Sequence, residues 1–317
     1  MKISNEVWKK AEAFLTNRPL ENRAVEKLDY IGGIVGGDKP SGYSSSPVLW
    51  NRFFQELGLK AFFSALDLPQ EQPFGGFAEA FLSLPGCLDL TVTSPYKATA
   101  YESLSSLSFK VTVTDHVRHL GCLNHIIINP ATGEAYVDLT DGWGMVRALK
   151  KRRVLKGARV LLVGAGGAAS AIGYELAREG ADLVIANIVE EDAAALASRL
   201  RPHLAPSGSV AACGWNNIKA EAPQSDVIVS AISASTPLDR AGVEALADGC
   251  LLADTRYGAR AELVQAAREA GRECVDGREM LCGQFVAAAR VAGSYLGVKE
   301  DALSSTLGSV EEWFLSR

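Results

Sequence analysis

Residues 160–169 read Val-Leu-Leu-Val-Gly-Ala-Gly-Gly-Ala-Ala, a pattern suited to holding a pyrophosphate. An apolar run that fits a buried strand ends in Gly164-Ala165-Gly166. Gly167 and Ala168 then lead into a helical pattern of Ala169, Ile172, Gly173 and Leu176. Gly164 lets the chain turn, and Gly166 lets the backbone approach the phosphates. Ala169 stands in the place of a third glycine, where a small residue lets helix and strand pack closely. The free N–H groups and positive end of the helix then face the anion. A lone glycine turn also joins strands to helices for steric reasons alone. Here it has company: strand-like runs follow at 182–186, 226–231 and 250–254, with helical patterns between several of them. The expectation is a dinucleotide-binding turn.

A nicotinamide enzyme that oxidises an alcohol also needs a group to take the hydroxyl proton as hydride leaves. The glycine turn has no such group, so the candidates are polar residues in loops of another domain, facing a cleft. Three segments stand out. Thr93-Ser94-Pro95-Tyr96-Lys97 follows the apolar run Leu88–Val92, and its proline breaks the strand. Gly121-Cys122-Leu123-Asn124 precedes another strand. Thr140-Asp141-Gly142 lies between a strand and a helix. A lysine and an aspartate at such loop ends can pair, the carboxylate orienting the ammonium. Taken singly, each has a bland reading: a surface lysine, and an aspartate capping a helix.

The elements that must position these residues form an alternating α/β pattern. Residues 5–15 read as an amphipathic helix with Val7, Trp8, Ala11, Phe14 and Leu15 on one face. Tyr30–Val35, Ala61–Leu66 and Leu88–Val92 read as strands. Pro47–Leu57 reads as a helix with proline in its first turn, and Phe77–Leu84 as another. Ile126–Asn129 and Ala135–Asp138 flank Pro130-Ala131-Thr132-Gly133, a good turn sequence. Gly142–Lys151 reads as a linking helix, and the residues from Arg278 onward are helical with no strand. The expected organisation is a substrate-binding α/β domain over 1–141 and a doubly wound Rossmann-type nucleotide domain over 142–277. Helices over 278–317 return to the first domain.

Bulk properties narrow the function. The chain has 317 residues, enough for two domains, and 48% hydrophobic with 22% charged residues is ordinary for a globular protein. A net charge of −5 speaks against nucleic acid as a partner. The longest basic cluster, Lys150-Lys151-Arg152-Arg153, reads as the solvated end of a helix. No apolar stretch approaches a membrane span, and Met1–Glu6 lacks a signal-peptide core. The six cysteines form no CxxC pair, and several sit in apolar runs, as core thiols of a reducing compartment do. The four histidines have no neighbouring carboxylate or thiol motif that suggests zinc. The expectation is a cytoplasmic protein, monomer or homodimer, with no metal.

The polar segments, in their order, resemble the shikimate dehydrogenase family. The resemblance rests on Val92-Thr93-Ser94-Pro95-Tyr96-Lys97, Leu123-Asn124-His125, Leu139-Thr140-Asp141-Gly142, Gly164-Ala165-Gly166-Gly167-Ala168 and Met280-Leu281-Cys282-Gly283-Gln284. Tyr43-Ser44-Ser45-Ser46-Pro47 with Asn51, and Asp254-Thr255-Arg256-Tyr257, complete it. It runs from about residue 30 to 296. The resemblance implies that Lys97 and Asp141 are the catalytic pair. It implies that Ser44, Ser46, Thr93, Asn124, Tyr257 and Gln284 line the substrate pocket. Gly164 to Ala168, Asn187 and Ser233 would hold the cofactor. The residue types agree: serine hydroxyls suit a carboxylate, and amides suit vicinal hydroxyls that both donate and accept. The implied substrate is a small polyhydroxylated ring acid. The implied reaction is the reversible reduction of 3-dehydroshikimate, or a close analogue, to shikimate. In the family, serine at both positions 44 and 46 leans towards shikimate, and a threonine at one of them towards quinate. Rival readings are a paralogue acting on quinate, an aminated analogue or another hydroxy acid, and a catalytically silent ligand sensor. The intact Lys97 and Asp141 count against the sensor.

The chain also departs from the family pattern. His125 replaces the usual threonine and Leu139 the usual asparagine. Ser230-Ala231-Ile232-Ser233 stands where the family has Asn-Ala-Thr-Ser, Thr236 falls near its usual methionine, and extra residues, Asp38 to Gly42, precede the serines. NADP-using members usually show Asn-Arg-Thr after the second strand of the nucleotide domain; here the residues are Asn187-Ile188-Val189. No Lys or Arg occurs from Ala181 to Ser198, and Glu190, Glu191 and Asp192 follow at once. Acidic surroundings repel a 2′-phosphate, so the loop favours NAD over NADP, with Lys219 as the basic residue that could still reach a phosphate.

Overall fold

The computed structural model describes residues 3–20, 25–233, 235–236 and 238–317. The chain forms two compact units: Met1–Thr140 with Phe285–Arg317, and Asp141–Gln284.

Unit 1 contains α1 (Asn5–Glu12), β1 (Tyr30–Gly36), α2 (Ser46–Glu56), β2 (Ala61–Asp67), α3 (Phe74–Leu82), β3 (Cys87–Val92), α4 (Lys97–Ser103), β4 (Val111–Val113), α5 (Asp115–Leu120), β5 (His125–Ile128) and β6 (Ala135–Asp138). Its sheet has six strands in the order β2-β1-β3-β5-β6-β4. The β1, β2 and β3 strands are parallel, and β5 runs antiparallel to both β3 and β6. Every residue of β3 is buried, as a central strand covered on both faces requires. The core is aromatic. Trp50 of α2 stacks on Phe63 of β2 at 5.2 Å, and Phe285 meets Trp50 edge-on at 5.5 Å. Phe285 brings the returning C-terminal chain into this core.

Unit 2 contains α6 (Asp141–Lys150), β7 (Arg159–Val163), α7 (Gly167–Arg178), β8 (Asp182–Asn187), α8 (Glu190–Leu200), β9 (Ser209–Gly214), α9 (Ile218–Glu221), β10 (Val227–Ser230), α10 (Arg240–Glu244), β11 (Leu251–Asp254), α11 (Glu262–Glu269) and β12 (Cys274–Val275). The helix α12 (Gly277–Tyr295) carries the chain out of unit 2, and α13 (Glu300–Leu315) follows in unit 1. The unit 2 sheet is parallel throughout, in the order β12-β11-β10-β7-β8-β9. This is the strand order of a Rossmann-type doubly wound sheet, reversing between β7 and β10. Its apolar strands, such as Leu161, Val163, Ile228 and Leu252, fill the core. No described helix is long and apolar enough to cross a membrane.

Candidate functional site

An open parallel sheet binds ligands beyond the carboxyl ends of its strands, where the strand order reverses. In unit 2 that place lies between β7 and β10. Gly164 follows β7 with φ +118°, a conformation that favours glycine. A Cβ there would lie 2.5 Å from the Ala231 carbonyl, so the turn also needs the absence of a side chain. A Cβ at Gly166 would meet nothing within 4 Å. Gly166 is the N-cap of α7, and no side chain caps the first N–H groups of that helix. Open space over uncapped N–H groups fits a pyrophosphate. Ala165 completes the turn, Gly167 and Ala168 open α7, and Ser233 lies exposed beyond β10.

The loop after β8 is self-contained. Asn187 donates through Nδ2 to the Val189 carbonyl at 3.1 Å and to Asp192 at 3.4 Å. Ile188 and Val189 are 64% and 48% exposed. Glu190, Glu191 and Asp192 form the first turn of α8, where the helix dipole favours negative charge.

Asp141 begins α6 and is buried. Gln284 donates to its Oδ1 at 2.9 Å, so two of the expected site residues meet within unit 2. Lys97 belongs to unit 1. Tyr257 is half-buried just past β11. At the end of β11, Asp254 is fully buried and bonded to the Arg256 guanidinium at 3.1 Å. Burial pushes the Asp254 carboxyl up, with the Arg256 hydrogen bonds opposing.

Unit 1 has its own reversal point, because β2 and β3 lie on opposite sides of β1. The loops after β1 and β3 therefore share one edge. Ser44 stands on the first. Ser46 follows as the first residue of α2, and is buried. Ser46 is not the N-cap of α2: Ser45 occupies that position, and Ser44 Oγ accepts the Ser46 N–H at 3.3 Å. Thr93 stands on the second loop, half-buried, its N–H bonded to the Val35 carbonyl at 2.9 Å. The Ser94–Pro95 bond is cis, and Lys97 opens α4. Because β5 is antiparallel to β3, the residue before it reaches the same edge: the Val92 N–H bonds to the Asn124 carbonyl at 2.8 Å. The Asn124 side chain is almost fully buried against Thr140. Its Oδ1 accepts the Thr140 N–H at 2.8 Å, and its Nδ2 donates to Thr140 Oγ1 at 3.1 Å. Asn124 thereby fixes the residue that precedes Asp141. Asn51 has a structural task, exchanging bonds with Phe63 N and O at 2.9 and 2.8 Å to tie α2 to β2.

A buried polar cluster that sequence reading did not single out lies on β3 and β5. His125 Nδ1 meets Asp89 Oδ1 at 2.9 Å, and Thr91 donates to Asp89 Oδ2 at 2.6 Å. Asp89 is fully buried and His125 nearly so. Beside a carboxylate, Nδ1 carries the proton. The nearby Asp138 contacts His116 at 2.8 Å and accepts the Leu139 N–H at 2.8 Å. Burial pushes the Asp138 carboxyl up, but the His116 hydrogen bond and charge, the Leu139 N–H and the His125 charge outweigh it and lower it. The departure of His125 from the family threonine was legible; its partner Asp89 was hidden in an apolar run.

Comparison with known proteins agrees with this architecture. Residues 35–124 match the family described as shikimate dehydrogenase substrate binding domain, and residues 147–249 match shikimate / quinate 5-dehydrogenase. A shikimate dehydrogenase (NADP(+)) of Methanothrix thermoacetophila is 33% identical over 288 residues, 86% of this chain and 97% of that protein. Among solved structures, quinate dehydrogenase from Corynebacterium glutamicum in complex with NAD has a TM-score of 0.71 at 24% identity, covering 91% of this chain and 99% of that one. A shikimate 5-dehydrogenase from Thermus thermophilus in complex with NADP(H) and shikimate has a TM-score of 0.66 at 21% identity, covering 89% and 99%. The two structures share the fold, and the sequence matches go further: the chain belongs to the shikimate dehydrogenase family of oxidoreductases.

Proposed function

We propose that the chain catalyses the reversible nicotinamide-dependent reduction of 3-dehydroshikimate, or a closely similar ring acid, to shikimate. One observation carries this reading. Ser44, Thr93 and Lys97 stand on, or end, the two loops at the reversal point of one sheet, and the glycine turn stands at that of the other. Unit 1 is the substrate-binding domain in this reading, and unit 2 holds the dinucleotide through Gly164 to Ala168, with Asn187 and Ser233. When bound, the nicotinamide supplies or accepts the hydride. Lys97 does the matching proton work. As an ammonium it gives a proton to the oxygen of the ketone being reduced; as an amine it takes the hydroxyl proton in the reverse direction. Asp141 is the carboxylate that the resemblance assigns to the same proton transfer, and Gln284 holds it in place. Ser44 and Ser46 bind the substrate carboxylate and Thr93 joins them in unit 1, with Asn124 supporting this edge through Thr140. Tyr257 is the residue of unit 2 that the resemblance assigns to the substrate.

We propose NAD as the preferred cofactor. The relative named above is a shikimate dehydrogenase (NADP(+)). Against that, the loop after β8 offers no cation: Asn187 is bonded within it, Ile188 is exposed and three acids follow. The test of the activity is the absorbance of reduced nicotinamide on mixing the protein with shikimate and each cofactor. Turnover of shikimate supports the reading. Absence of turnover with shikimate, quinate and an aminated analogue would sink it.

A further inference from the structure

The extra residues before the serines place a carboxylate inside the reversal point of unit 1. Gly36 is the last residue of β1. A Cβ built on it would lie 2.6 Å from Thr93 Cγ2, 2.9 Å from Asp38 Oδ1 and 3.0 Å from the Ser94 carbonyl. The Asp38 carboxylate and the Thr93 side chain therefore converge on one point above the end of β1. That convergence requires glycine at position 36.

The loop carrying Asp38 is held on several sides. The Gly37 N–H bonds to the Ser94 carbonyl at 3.1 Å, which ties the loop after β1 to the loop after β3. Ser41 bonds to both oxygens of Asp67 at the end of β2, through its N–H at 3.0 Å and through its hydroxyl. The Ser44 N–H returns to the Pro40 carbonyl at 2.8 Å. Tyr43 donates its hydroxyl to Asp38 Oδ1 at 2.7 Å, which fixes the carboxylate. Asp38 is exposed, so this carboxylate is open to a ligand and is not part of the core.

A carboxylate only accepts hydrogen bonds, and it repels another anion. We propose that Asp38 is a specificity-determining residue: it takes a hydrogen bond from a hydroxyl or ammonium substituent of the substrate and turns away anionic groups at that end of the pocket. This rests on the shikimate dehydrogenase reading above. A ring acid then binds with its own carboxylate on Ser44 and Ser46 and a donor group on Asp38.

The test is Asp38→Asn, which keeps the size and removes the charge. Steady-state kinetics are measured with shikimate and with an analogue carrying an ammonium in place of one hydroxyl. Thermal stabilisation by each ligand is read alongside. A hydrogen bond to a charged group is worth about a tenfold to hundredfold in affinity. KM should rise by about tenfold with kcat within about twofold of wild type. An equal rise for both ligands identifies the hydroxyl as the donor, and a rise confined to the aminated ligand identifies the ammonium. If the wild-type protein turns over shikimate and the variant has an unchanged or lower KM for both ligands, the role of Asp38 is overturned and the activity stands. If the wild type neither turns over nor is stabilised by either ligand, both readings fall together.

Discussion

Gln284 Nε2 donates to Asp141 Oδ1 at 2.9 Å, and the bond ties together the two places where the chain passes between its units. Asp141 is the first residue of unit 2 and Gln284 the last. The helices that carry them, α6 and α12, approach closely at a glycine pair. A Cβ on Gly144 would lie 2.4 Å from the Met280 carbonyl, and one on Gly283 would lie 2.5 Å from Gly144 Cα. Backbone cannot yield there as a flexible side chain would. Gly144 lies one turn after Asp141 and Gly283 directly precedes Gln284, so the close approach and the bond belong to the same stretch of the two helices.

Gly144→Ala should therefore separate the helices and cost about 1–3 kcal/mol, the usual penalty of overpacking. Gly166→Ala has open space for its methyl and extended backbone at that position, so it should melt close to wild type. It should instead weaken cofactor binding, because the methyl stands over the helix N–H groups. Calorimetry of both variants and cofactor titration of the second check this. Equal melting temperatures for the two would contradict it.

Lys97 and Asp141 should behave as one functional unit. Loss of general acid–base help typically costs about a hundredfold to ten-thousandfold in rate. Lys97→Ala should lower kcat by that order while changing KM little. Asp141→Asn added to it should cost much less than it does alone, since both act on one proton transfer. A Lys97→Ala variant that kept more than half the wild-type kcat would rule out the assignment.

Ser44 and Ser46 should matter for binding more than for folding. The Ser46 side chain does not cap α2, so its loss removes no cap bond. Ser44→Ala removes one weak bond of 3.3 Å to the Ser46 N–H. The double alanine variant should raise KM for shikimate, with a melting temperature within a few degrees of wild type. An unchanged KM together with a large drop in melting temperature would assign the serines to stability instead.

The legible parts of the sequence were those with a strong local signal. The strands β1, β2 and β3 are apolar runs bounded by breakers, and the glycine turn sits between a buried strand and a helix. Each lies within a residue or so of where its pattern placed it. Short or polar elements were not legible. The strand β4 has three residues, none buried, and α5 has six, ending at Gly121 with φ +64°. In β9, the stretch Ser209–Gly214 has mostly small residues and one buried side chain, as an edge strand allows, so neither period stands out. The polar site was legible as motifs, but its bonding was not. Nothing in the sequence says that Asn124 spends its amide on Thr140, or that Asp89 in an apolar strand receives His125. Such pairings span sequence distances that only the sheet register closes.

Acid should remove the contribution of Asp138 to stability. Its carboxyl is lowered in the folded protein, so the folded state releases the proton more readily than the unfolded chain. The resulting stabilisation is complete above the ordinary carboxylate range, about pH 4 to 5, and is lost as pH falls through the folded value. The Asp138→Asn variant should be less stable than wild type at neutral pH, and the gap should narrow on acidification. Urea denaturation of both proteins between neutral and acid pH measures it. A gap that widened towards acid would reverse the sign and refute the account.

Cofactor choice should turn on the loop after β8. Ile188 is 64% exposed and stands where NADP-using members usually carry arginine, whose guanidinium pairs with a 2′-phosphate in a fixed fork. Asn187 is tied back to Val189 and Asp192, so its side chain is already engaged. Glu190, Glu191 and Asp192 begin the next helix and add negative charge beside the loop. The wild-type protein should therefore show a higher kcat/KM with NAD than with NADP at saturating shikimate. Ile188→Arg should move the ratio towards NADP by about tenfold or more, the worth of one charge-assisted contact. It should leave kcat with NAD nearly unchanged, because the proton transfer is assigned to Lys97 and Asp141 and not to this loop. A wild-type preference of tenfold for NADP would overturn the cofactor assignment, with Lys219 the first residue to replace in search of the phosphate partner.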